Sequence, residues 1–214
     1  RMITKKILYW YDNNKRSLPW RIRCPAKKKE HLTLVSEFML QQTQVKTVIP
    51  YFVSFLKSIP DLQSLVKVSE TKLLKHWQGL GYYSRAKNLK KSAKMIINDY
   101  NGRLPNSFDE LKKLPGVGDY TASAILAIAF NKQIIPLDGN IERVLKRILN
   151  LKKEDEIKQK NLHKQKKIFG KTLRSSDYVQ ALMEIGALLC KPKNPYCDKC
   201  PITKNCLSFK RNDF

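Results

Sequence analysis

The chain has 214 residues, 42% of them hydrophobic, and carries 42 Lys and Arg against 18 Asp and Glu, a formal net charge of +24 at pH 7. That length is enough to bury a core, as one large domain or two small interleaved ones. No apolar run reaches the ~18 residues of a membrane helix, and RMITKKILYWYDNNKRSLPWR at the start lacks a signal peptide's apolar stretch and cleavage site. No membrane partner and a cytoplasmic location (nucleoid-associated in a bacterium) are therefore expected.

The charge has two readings. Neutralising the phosphates of a nucleic acid supplies salt-dependent affinity. Alternatively, abundant Lys, Ile and Asn together reflect an AT-rich genome.

In chain order, helical spacing dominates. The run LTLVSEFML has apolar residues at 34, 35, 38 and 39. TVIPYFVSFL, ETKLLKHW, AKNLKKSAKMIINDY and FDELKKL follow the same spacing, as do TASAILAIAF, NIERVLKRILNL and YVQALMEIGALLC. Turn signals separate them: IPD, QGLGYYS, NGRLPNS, LPGVGDY and PLDGN. No alternating strand pattern competes, so the predicted class is all-α, with short connections. Residues 151–176 are Lys-rich and weakly apolar, which predicts a solvated helix and linker.

Glu37 lies in VSEFMLQQT among Val35, Phe38, Met39 and Leu40. In such a stretch a carboxyl is either desolvated, so that it holds a proton near neutral pH, or it marks the exposed face of an amphipathic helix. In LPGVGDYTASAILAIAF, Gly116-Val117-Gly118 makes a tight turn before a helix whose free N–H groups suit a phosphate. Asp138, in IIPLDGNIERVLKRI, sits where a helix N-cap is expected, and cap hydrogen bonds favour its ionised form. One protonated and one ionised carboxyl is the division of labour of glycosidic bond cleavage.

Four of the five cysteines, Cys190, Cys197, Cys200 and Cys206, are spaced C-x6-C-x2-C-x5-C. In a reducing compartment that spacing suits an iron–sulfur cluster or zinc rather than disulfides, with four unligated thiols as the third reading. Lys191, Lys193, Lys199 and Lys204 lie between them. Cys24 stands apart as a spare thiol. His31, His76 and His163 lie outside every motif, so none is a candidate base.

Taken together, SEFMLQQTQVKTVIPYF, WQGLGYYSRAKNL, LPGVGDYTASAI, LDGNIERVLKRI, ALMEIGALLC and the four-cysteine loop resemble the catalytic part of the MutY-type adenine DNA glycosylases. These belong to the helix–hairpin–helix superfamily of endonuclease III. The resemblance runs from Leu18-Pro19-Trp20-Arg21 to Cys206. It implies two helical lobes: a six-helix barrel with the hairpin over 26–132, and an iron–sulfur cluster domain formed by 1–25 plus 133–214. It implies a monomer acting on double-stranded DNA that carries a mismatched adenine, with that base flipped out of the duplex.

The same resemblance implies roles for single residues. Glu37 protonates adenine N7 and then handles the attacking water. Asp138 stabilises the developing oxocarbenium ion, and Asn140 orients the water or Asp138. Gln42 and Tyr82 wedge into the base stack, Glu184 contacts the adenine edge, and Trp20 and Arg21 line the base pocket. Gly116 and Gly118 grip the DNA backbone. Cys190, Cys197, Cys200 and Cys206 hold a 4Fe–4S cluster. Tyr120 stands where bifunctional lyases of the superfamily carry a Schiff-base lysine; a phenol forms no imine, so a monofunctional hydrolase is expected.

Three departures from the family pattern stand out. The segment between Trp20 and Glu37 is longer than usual and lacks the family's Tyr and Trp before Ser36-Glu37. The chain runs eight residues past Cys206, where the family continues into a nudix-like domain that recognises 8-oxoguanine, so a catalytic core without that domain is expected. Tyr120 and the absence of that domain are shared with thymine–guanine mismatch glycosylases, which makes that activity one alternative. A non-catalytic DNA-binding module is the other.

Overall fold

All regular elements among the described residues are helical, as expected. A computed structural model describes residues 2–152 and 172–213. The helix and linker predicted for 151–176 therefore falls, over 153–171, outside the described residues. The chain divides into two compact units, Ser17–Phe130 and Arg1–Arg16 with Asn131–Phe214. Residues 17–25, expected to join the terminal segments, belong instead with the first of these units. Trp20 packs edge-on against Phe52 there, with ring centroids 5.2 Å apart.

The unit of 17–130 holds α2 (Ala26–Leu40), α3 (Val45–Ser58), α4 (Leu62–Lys67), α5 (Glu70–Trp77), α6 (Ser84–Asp99), α7 (Phe108–Lys112) and α8 (Asp119–Ile128). Caps set several starts: Asp61 accepts from Ser64 N–H at 2.8 Å, Ser69 from Lys72 N–H at 3.2 Å and Ser107 from Glu110 N–H at 3.3 Å. Helix α2 is the axis of the unit and packs on α3, α6 and α8. Its residues from Glu30 to Met39 are buried consecutively, so it presents no solvent face there. Val35, Phe38, Met39, Phe52, Phe55 and Trp77 form the centre of the core. Each contributes about 1.5–3 kcal/mol by leaving water.

Enclosing α2 on all sides buries polar groups that need partners. Glu30 accepts from Arg103 Nε at 3.0 and 3.1 Å and from the Leu104 N–H at 2.9 Å. His31 Nε2 lies 3.2 Å from the Ile59 carbonyl, and burial pushes its pKa down, so it is a neutral core residue. Both lie in the segment that departs from the family pattern, and both serve the core.

The other unit holds α1 (Met2–Asn14), α9 (Gly139–Leu149), α10 (Ser175–Leu188) and α11 (Leu207–Arg211), with single 3₁₀ turns at Cys197–Lys199 and Thr203–Asn205. Helix α10 packs against both α1 and α9, and α11 packs on α9. No described helix is long and apolar enough to cross a membrane.

Candidate active site and cysteine cavity

Glu37 occupies the buried C-terminal half of α2 and is 5% exposed. Of the two readings of its sequence surroundings, the exposed amphipathic face is therefore ruled out. In the same unit, Gly116 and Gly118 form the turn between α7 and α8. Gly116 has φ +81°, and a Cβ there would lie 3.0 Å from both Asn88 Cβ and Phe38 Cε1. The protein itself thus requires glycine at 116. Gly118 differs: a Cβ there would meet nothing within 4 Å, so its open side faces away from the protein. Gly118 is the N-cap of α8 without a side-chain cap, and Tyr120 is half-buried on the first turn.

Gln42 and Tyr82 share an uncommon backbone state. Both are left-handed, with φ +54° and +47°. For residues other than glycine this costs about 1–2 kcal/mol each. Both side chains are exposed, Tyr82 to 62%. Trp20 and Arg21 are half-buried, in a turn closed by Arg21 N–H donating to Leu18 O at 2.9 Å.

In the second unit Asp138 caps α9, accepting from the Ile141 N–H at 2.6 Å. The expected geometry is present, but it does not set the direction of the pKa shift. Burial pushes the Asp138 pKa up and outweighs the hydrogen bonds from Ile141 and Asn140 and the charge of Arg143, which all act downward. Asn140 Oδ1 accepts from Arg143 Nη2 at 2.7 Å. The same guanidinium donates to Gly186 O and Cys190 O, each at 2.8 Å, and so ties the Asp138–Asn140 turn to the first clustered cysteine. Glu184 is fully buried, and both its oxygens are engaged by Arg16.

The four clustered cysteines are half-buried and line one cavity with apolar neighbours that include Val144, Ile185 and Ile202. Among the described residues, no three potential ligands converge as a single-ion site would require. Burial, and then the charge of neighbouring thiols, pushes Cys197 and Cys206 up, and Cys200 up to about 11. Four thiols lining one cavity are a donor set that suits a thiolate-bound metal group. Arg147 braces the loop, donating to the Lys191 and Pro192 carbonyls at 2.6 and 2.9 Å.

The family model described as HhH-GPD superfamily base excision DNA repair protein matches residues 35–167. The chain belongs to the HhH-GPD superfamily. This HhH-GPD chain is 43% identical over 207 residues to the adenine DNA glycosylase of Buchnera aphidicola subsp. Baizongia pistaciae (strain Bp). The match covers 96% of this chain and 58% of that protein. It is 38% identical to the human adenine DNA glycosylase, over 96% of this chain and 39% of that one. Among solved structures it is similar to a thermostable thymine-DNA glycosylase, with TM-score 0.83 and 27% identity over 97% of this chain and 95% of that one.

Several residues that organise the one or the other unit escaped the sequence reading. Arg16, Arg85, Arg143 and Arg147 are single arginines in a chain with 42 cationic residues, so charge alone does not mark them. Gly186 lies inside a helix pattern, where an isolated glycine is the one available signal of close packing.

Proposed function

We propose that this chain is the catalytic part of an adenine DNA glycosylase, acting as a monomer on duplex DNA. It hydrolyses the N-glycosidic bond of adenine mispaired with 8-oxoguanine or guanine. The observation that carries the reading is Glu37, a carboxyl enclosed in the core helix of a base excision repair fold. Similarity to adenine DNA glycosylases over nearly the whole chain supports it.

In this reading, Glu37 delivers a proton to N7 of the extruded adenine. The C1′–N9 bond breaks, its electron pair leaves with the base, and positive charge develops on the deoxyribose. Asp138 stabilises that charge as the carboxylate. Water then adds at C1′, its proton returning to Glu37. Tyr120 supplies no amine, so no imine forms and the abasic strand stays intact until alkali is added. Gly118 and the uncapped first turn of α8 accept a backbone phosphate.

Cys190, Cys197, Cys200 and Cys206 would hold a 4Fe–4S cluster. The single C-x2-C pair and a cavity lined by all four thiols favour it over zinc. It would fix the lysine-bearing loop and take no part in hydrolysis.

Removal of thymine from thymine–guanine mismatches is the second reading, favoured by the similarity to the thymine-DNA glycosylase and by Tyr120. Single-turnover excision on duplexes with A opposite 8-oxoguanine, A opposite G and T opposite G separates the two. Adenine release is expected, with strand breaks only after alkali; thymine release alone would overturn the adenine reading.

A further inference from the structure

One buried guanidinium joins the two loops that carry Gln42 and Tyr82. Arg85, on the first turn of α6, is 6% exposed. Its Nη1 donates to the carbonyls of Met39 at 2.7 Å and Gln41 at 2.5 Å and to Thr43 Oγ1 at 3.0 Å. Its Nη2 donates to the carbonyls of Leu80 at 3.3 Å and Gly81 at 3.0 Å, and its Nε to that of Tyr82 at 3.4 Å. The guanidinium also lies over the Trp77 and Tyr82 rings, 5.6 and 5.5 Å from their centroids.

All of these partners are neutral, so this is a bracket between main-chain segments rather than an ion pair. On one side it collects carbonyls that α2 leaves open at its C-terminus and reaches across Gln42 to Thr43. On the other it holds the carbonyls leading into and out of the turn at Tyr82. Left-handed conformations at non-glycine residues persist only where surrounding contacts over-determine them. Here one planar fork does so for both turns. Gln41 Nε2 extends the network to Gly116 O at 3.1 Å and Thr121 Oγ1 at 3.3 Å, at the hairpin. A lysine offers three donors on a single nitrogen and cannot span both loops.

We propose that Arg85 is a positioning residue for base extrusion, holding the turns at Gln42 and Tyr82 in fixed register so that their exposed side chains enter a duplex as one wedge. The inference rests on the function proposed above, in which these two side chains meet DNA.

The test compares wild type with Arg85→Lys, with Thr43→Val, which removes one acceptor at nearly constant volume, and with Ile96→Val as a core control on α6. The probe is a duplex with 2-aminopurine in place of the target adenine, whose fluorescence rises on unstacking. Arg85→Lys is expected to slow that rise roughly tenfold or more, with duplex affinity within about threefold of wild type and faster hydrogen exchange at 41–44 and 80–84. Thr43→Val is expected to slow it about two- to threefold, and Ile96→Val to leave it unchanged. Unstacking by Arg85→Lys at the wild-type rate, or equal slowing by Ile96→Val, would overturn the proposal. Wild-type protein that unstacks the probe base but releases no adenine from the same duplex carrying adenine at that position would overturn the adenine function while the Arg85 comparison still decides this inference. Wild-type protein that leaves the base stacked would overturn both.

Discussion

Arg16 closes over Glu184. Its Nη2 donates to Oε1 at 2.6 Å, its Nε reaches Oε1 and Oε2 at 3.1 and 3.0 Å, and its backbone N–H donates to Oε2 at 3.1 Å. Glu184 has no exposure, whereas the Arg16 side chain is 36% exposed. The pair joins α10 to the segment after α1. Breaking such a pair costs about 3–5 kcal/mol when a buried charge loses its partner. The asymmetry in exposure decides which half matters more. Arg16→Ala leaves a fully buried carboxylate behind and is expected near the upper end. Glu184→Ala leaves an arginine that rehydrates and is expected to cost less. Urea denaturation of both variants and the double mutant checks the order.

Gly186 is where α10 meets the start of α9. A Cβ at 186 would lie 2.7 Å from Asn140 Cβ and 3.1 Å from the Asn140 carbonyl oxygen. Backbone cannot yield as a flexible side-chain end can, so Gly186→Ala must displace the Asp138–Asn140 turn. A loss of about 1–3 kcal/mol is expected, with a larger fall in excision than in DNA affinity. Thermal unfolding and single-turnover kinetics measure the two effects.

Asp138 carries a cost that its cap bonds do not cancel. Burial raises its folded pKa above the ordinary value of about 3.9. Between the unfolded and folded values the native state binds more protons. The Asp138 contribution to stability is therefore most favourable below about pH 3.9 and is lost as pH rises through the folded value. Asp138→Asn, which keeps a good N-cap, is expected to raise the melting temperature at pH 7, with the gain vanishing toward pH 4. The same variant is expected to lose about 100-fold or more in excision, because it removes the anion. Melting curves from pH 4 to 8 give the first result and single-turnover assays the second.

The cysteine cavity makes a compositional prediction. Purified anaerobically, the chain is expected to carry iron and acid-labile sulfide in equal amounts, with the broad visible absorption of thiolate-bound iron. Cys200→Ser is expected to lose most of that iron and to open the 190–206 loop to proteolysis. Stoichiometric zinc without sulfide would contradict the cluster.

Helix positions and turns were legible from spacing and from Gly and Pro signals, because each helix is set locally by its apolar face and its caps. Burial of Glu37 was not decidable from α2 alone, since enclosure on every side comes from α3, α6 and α8. The Asp138 cap was legible, but the balance between its hydrogen bonds and burial was not, because burial depends on tertiary packing. The arginine brackets at 16, 85, 143 and 147 were invisible for a related reason. Arg85, Arg143 and Arg147 bind main-chain carbonyls, which carry no residue signature, and the acceptor of Arg16, Glu184, lies 168 residues away in sequence.

In the proposed function Glu37 is the acid that releases adenine. The most direct test measures free adenine from a duplex with A opposite 8-oxoguanine under single turnover, for wild type and Glu37→Gln at saturating protein. Glu37→Gln keeps the side chain's shape and its place in α2 but removes the acidic proton. The expected result is adenine release by wild type and a loss of about 1000-fold or more in Glu37→Gln at unchanged duplex affinity. Equal rates for the two proteins would contradict the assignment of Glu37 as the acid.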